Sequence, residues 1–105
     1  LLFKVESSLA GTVQYIGMIG VLDYSTVDSF DFVNETPDYV KEFIIDFSAL
    51  EFIDSTGIGA ILTILHKASS LQAIVTFQGM SEETVDLFET IGLYEIKKAL
   101  LNEEV

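Results

Sequence analysis

Between residues 43 and 68 the hydrophobic period of the chain changes once, and few architectures accept that change. Residues 43–47 (FIIDF) are a short apolar run of strand length, continuous enough to suit a sheet covered on both faces. From Gly57 onward Ile58, Ile61, Leu62, Leu65 and Ala68 recur at the spacing of one helix face, with Thr63, His66 and Lys67 between them. A buried strand is therefore expected to end, residues 48–52 to cross as a short connection, and a helix to begin at Ser55 or Thr56. A strand that feeds a helix so directly belongs to an α/β layer.

The rest of the chain repeats the alternation. Residues 2–6 alternate weakly, as an edge strand does, and residues 7–11 are turn-like. Residues 13–22 (VQYIGMIGVL) are rich in β-formers, with Gly17 and Gly20 marking bends or close backbone approach. Val27, Phe30 and Val33 suit a short amphipathic helix, which Pro37 should end near residues 34–36. Residues 73–77 (AIVTF) are the next strand. Ser81 caps a helix with Glu82 and Glu83 in its first turn, Val85, Leu87, Phe88 and Ile91 on its apolar side and Gly92 at its end. Residues 95–102 form a last short helix. The first two strands are joined too tightly for a parallel crossover, so the sheet is mixed. The expected architecture is α/β, a mixed four- to five-stranded sheet flanked by three to four helices, in a single domain over residues 1–105.

Composition narrows the function. Five basic side chains stand against seventeen acidic ones, a formal net charge of −12, which repels nucleic acid and anionic membrane surfaces and favours basic partners. There is no cysteine, so disulfides and thiolate metal sites are excluded, and a reducing cytoplasm fits. The apolar runs fall far short of the roughly 20 residues of a membrane span, and no signal segment opens the chain. The start at Leu1, without methionine, is expected to reflect a lost start residue or an upstream domain. His66 has no second histidine with which to build a metal site. Asp23, Asp28 and Asp31 lack the tight, glycine-turned spacing of an oxygen-ligand loop, and Gly57-Ile58-Gly59 lacks the Gly-Lys-Ser/Thr of a phosphate-binding loop. Phe30, Phe32, Phe43, Phe47, Phe77 and Phe88 are read as core. No cofactor or metal is expected.

The junction FIDSTGIGAIL remains, and it has two readings. In the first, Asp54, Ser55 or Thr56 is an N-cap accepting from first-turn N–H groups, while Gly57 and Gly59 let the helix approach the sheet. In the second, the same helix N-terminus presents a hydroxyl for modification. A phosphate there would meet a favourable local field and add roughly −1.5 to −2 charge beside Asp54.

From residues 20–23 (GVLD) through DFSALEFIDSTGIGAIL to MSEETVDLFETIGL, most of the chain resembles a STAS domain of the anti-sigma factor antagonist type, with its SpoIIaa-like fold. The strongest part is Asp54-Ser55-Thr56-Gly57-Ile58-Gly59, which is similar to the family pattern D-S-[ST]-G-[LI]-G. The resemblance implies that Ser55 is the phosphoacceptor, surrounded by Asp54, Thr56, Gly57 and Asp23. It places partner binding on Asp23, Ser25, Ser55, Thr56, Ile58 and Gly59. It further implies a non-catalytic switch in the cytoplasm: the unphosphorylated form binds an anti-sigma factor serine kinase and frees a sigma factor, and a PP2C-type phosphatase resets it. The alternative is a STAS domain detached from a stressosome scaffold or an anion transporter.

Overall fold

The computed structural model describes residues 3–26 and 36–103. In chain order the elements are β1 (Phe3–Ala10), β2 (Val13–Leu22), β3 (Glu42–Ile53), α1 (Ser55–Leu71), β4 (Ile74–Gln78), α2 (Glu82–Thr90) and α3 (Leu93–Leu101). The expected helix around Val27, Phe30 and Val33 lies outside the described residues, as do Phe32, Asp28 and Asp31.

The sheet is mixed, in the order β1-β2-β3-β4. β1 and β2 form an antiparallel hairpin whose last pair is Ala10 with Val13. Its two-residue turn is possible because Gly11 takes a φ of +61°, which an L side chain resists. Residues 7–10, expected as turn, are strand instead: the long partner β2 offers a ladder along their whole length, and pairing outweighs the weak local preference of Ser7 and Ser8. β2, β3 and β4 are parallel.

The helices and the sheet share one core. Ile16, Met18, Phe43, Ile45 and Phe47 of the strands are buried with Ile61, Ile64 and Leu65 of α1, Phe88 of α2 and Leu93 of α3. Phe88 meets Phe47 edge-on at 5.6 Å and Phe77 at 5.7 Å, with Tyr94 at 6.1 Å, so four rings lock α2 and α3 onto the end of β4. On the other face of β3, Ile44 and Asp46 are half-buried, so the expected cover on both faces is incomplete among the described residues.

The larger departure concerns residues 48–52. They are not a connection: β3 runs on to Ile53, paired with β2 throughout. Two register shifts, between Gly17 and Ile19 and between Gly20 and Val21, insert extra residues on the β3 side. Each bulge breaks the alternation of apolar and polar side chains, which is why this stretch does not read as strand. Asp46 holds the first bulge: its carboxylate accepts from the Tyr15 hydroxyl at 2.7 Å and from the Ser48 N–H at 3.0 Å. The turn after β4 closes on the same place, and a Cβ on Gly79 (φ +69°) would lie 2.6 Å from the Asp46 carboxylate. β4 accordingly pairs with β3 only as far as Asp46 with Gln78, and β3 continues beyond it.

Phe88 has no exposed surface and meets three other rings. Phe88→Ala is expected to cost about 3–5 kcal/mol in unfolding free energy, read as a lower urea midpoint.

Candidate functional site

The site is set by the ends of two adjacent parallel strands. Leu22 pairs with Ile53, so Asp23 and Asp54 leave the sheet side by side. The backbone holds them there, because the Asp54 N–H donates to the Leu22 carbonyl at 3.3 Å.

Asp54 is the N-cap of α1. Its Oδ1 accepts from the N–H groups of Thr56 at 2.9 Å and Gly57 at 3.1 Å, satisfying two donors the helix would otherwise leave open. Ser55 is the first helical residue and is exposed. Thr56 is half-buried. Of the three polar residues at the junction, Asp54 therefore does the capping, and Ser55 makes no contribution to the cap.

The two glycines differ. Gly57 is buried, and a Cβ there would lie 2.5 Å from the Leu22 carbonyl and 2.8 Å from the Ile53 side chain. This is the close approach that lets α1 start directly over the strand ends. Gly59 is exposed, and a Cβ there would meet nothing within 4 Å, so close packing is not its role. Ile58 is only 6% exposed and packs in the core, so the structure does not bring it to the surface with Ser55 and Gly59.

Asp23 organises the neighbouring turn. Its Oδ1 accepts from the Ser25 hydroxyl at 2.7 Å and the Ser25 N–H at 2.9 Å. Thr26, not among the expected contact residues, is buried beneath: its hydroxyl donates to the Val21 carbonyl at 2.7 Å and accepts from the Asp23 N–H at 3.0 Å. An Asp followed two and three residues later by Ser and Thr is the signal that would have found this turn. The Ser25 hydroxyl, opposed by partial desolvation and helped by the Ser25 N–H and Thr26, holds the Asp23 carboxyl below its ordinary value. Two exposed aromatics were also missed: Tyr24, 82% exposed, in that turn, and Phe52, 55% exposed, three residues before Ser55. Nothing in an apolar run distinguishes Phe52 from its neighbours, because the bulge at residue 51 shifts the phase.

The fold and site thus define a small α/β domain whose distinctive polar residues stand on the surface where two parallel strands end. The sequence matches the STAS domain family over residues 5–104, and the chain belongs to that family. No curated protein is similar enough in sequence to count as a relative. Among solved structures, the chain is similar to the Bacillus cell fate determinant SpoIIAA in its phosphorylated form, with 21% sequence identity, coverage of 89% of this chain and 86% of that one, and a TM-score of 0.65. It is similar to an antisigma-factor antagonist STAS domain from Rhodobacter sphaeroides, with 27% identity, coverage of 77% and 94%, and a TM-score of 0.62. A sulfate transporter family protein from Wolinella succinogenes aligns at 18% identity, with coverage of 86% and 75% and a TM-score of 0.74. Among the described residues, no helix is long and apolar enough to cross a membrane.

Two predictions follow the geometry. Gly57→Ala should destabilise by about 1–3 kcal/mol, since backbone at Leu22 must give way. Gly59→Ala should be neutral or stabilise by up to about 1 kcal/mol through helix propensity. Paired urea melts of the two variants check the contrast. The second concerns acid. A carboxyl whose folded value is lowered contributes stability that is complete above its ordinary value of 3.8 and is lost as pH falls through the folded value. Asp23→Asn keeps an accepting oxygen but cannot titrate. Between about pH 6 and about pH 2 its melting temperature should fall less steeply than that of the parent protein, as circular dichroism would record.

Proposed function

We propose that this domain is an anti-sigma factor antagonist: a non-catalytic binding module, switched at Ser55, whose unphosphorylated form binds an anti-sigma factor serine kinase and so releases a sigma factor. A PP2C-type phosphatase restores the binding form. The module acts as one unit over residues 1–105, in the cytoplasm, without nucleic acid or membrane as a ligand.

One observation carries the reading. Ser55 is exposed at the mouth of α1, while the structural duties of the junction fall on Asp54 and Gly57. A hydroxyl so placed can be esterified without removing a cap or a core contact. The Thr56 and Gly57 N–H groups are already taken by Asp54, so a phosphate on Ser55 gains the field of the helix end but not those two bonds. It sits instead beside a carboxylate, bulky and heavily hydrated, where a docked protein has to press closely. Asp23, Ser25, Thr56 and Gly59 complete the proposed contact surface; Ile58 supports it from beneath.

A second reading is favoured by the structural likeness to the sulfate transporter family protein: a STAS domain regulating a larger chain. An upstream membrane segment in the same reading frame would decide for it.

The test uses purified domain, ATP and candidate anti-sigma serine kinases. Mass spectrometry should place the label on Ser55. Titration calorimetry should give Ser55→Ala undiminished kinase affinity and Ser55→Asp an affinity at least roughly tenfold weaker. Equal affinities, or a label on Thr56, would refute the switch.

A further inference from the structure

We propose that Phe52 and the groove between it and the first turn of α2 are an anchor site, occupied by a segment of the docked protein that carries one apolar side chain flanked by Lys or Arg. The proposal rests on the reading of Ser55 given above and extends it to a surface that the junction motif does not include.

Phe52 is 55% exposed. Its neighbour Ile53 is buried, its ladder partner is Val21, and the bulge just before it turns the ring outward. More than half of a phenylalanine facing water three residues from Ser55 is an anchor composition, since aromatic side chains are enriched among the residues that dominate binding energy. The adjacent edge of β3 is also open. β4 stops pairing at Asp46, so from residue 47 to 53 β3 has a strand on one side only among the described residues. α2 begins beside that gap and leaves a groove of about 130 Å³, lined by Glu51, Phe52, Ser81, Glu83, Thr84 and Leu87 among others. Small-molecule sites usually exceed roughly 300 Å³, so this groove suits one inserted side chain rather than a cofactor.

Charge selects the occupant. The groove is flanked by Glu51 and Glu83, with Glu82 also in the first turn of α2, and among the described residues no Lys or Arg lines it. A second copy of a chain with net charge −12 would set acid against acid, whereas a basic segment is attracted. The same argument constrains the switch. Phosphorylation makes the long-range field still more attractive to a basic partner, so release has to arise from local bulk and desolvation at Ser55 rather than from net charge.

The test uses the intact kinase that labels Ser55, titrated into unphosphorylated domain at two salt concentrations. Phe52→Ala is expected to raise the Kd about 30-fold while leaving the melting temperature unchanged, because the ring lies outside the core. Glu83→Lys should weaken binding at low salt and flatten its salt dependence. If Ser55→Asp abolishes binding while Phe52→Ala and Glu83→Lys both bind as the parent does, the anchor is refuted and the switch stands. If Ser55→Ala and Ser55→Asp bind equally, or no such kinase labels Ser55, the switch fails and the anchor falls with it. A stronger complex with Glu83→Lys would overturn the basic occupant.

Discussion

The site depends on how far β2 and β3 stay paired. Their ladder runs to Leu22 and Ile53, and the Asp54 N–H then bonds back to the Leu22 carbonyl. That carbonyl is also the atom over which Gly57 passes, so one peptide group positions the strand ends, the cap and the first turn of α1. Any side chain at residue 57 would lift the helix and with it the orientation of Ser55. The strength of the arrangement comes from parallel pairing and close backbone contact, and the exposed hydroxyl takes no share in it.

This separation also divides short-range from long-range electrostatics on a very acidic surface. Short interactions dominate at Asp54 and Asp23, each carboxylate accepting from N–H or O–H groups within its own turn. Bonds of this type to an ionised acceptor are stronger than neutral ones and are little affected by charges a Debye length away. The remaining acids act collectively as a field. An added phosphate changes that field by a modest fraction but changes the contact at Ser55 completely.

Much of the architecture was legible in the sequence, and the failures have common causes. β2, α1, β4, α2 and α3 appear within a residue or two of where periodicity and capping residues put them, because each has one dominant pattern and a clear terminator such as Ser81 or Gly92. The second half of β3 was hidden by bulges, which change the phase of side chains without leaving a compositional mark. The strand nature of Ser7 and Ser8 was hidden because pairing, not propensity, decides an edge strand. At the site, the D-S-T-G run announced a capped helix start, but it could not say which oxygen does the capping; the backbone geometry gives that role to Asp54. Gly57 and Gly59 are equivalent as letters and differ only once Leu22 is known to lie above one of them. Tyr24 and Phe52 were invisible because exposure of an aromatic is a tertiary fact.

α2 is anchored at its far end by Phe88, and Leu93 follows just past the Gly92 corner, while Glu82 and Glu83 at its near end are exposed. Core packing and the proposed recognition surface thereby fall at opposite ends of one nine-residue helix. Signs can be exchanged at the near end without disturbing the hydrophobic interior. Under the proposed switch, a cell that keeps several copies of this scaffold would have a cheap route to insulated circuits: each copy could be tuned to its own kinase by editing a few surface charges while the turn at Ser55 stays common to all.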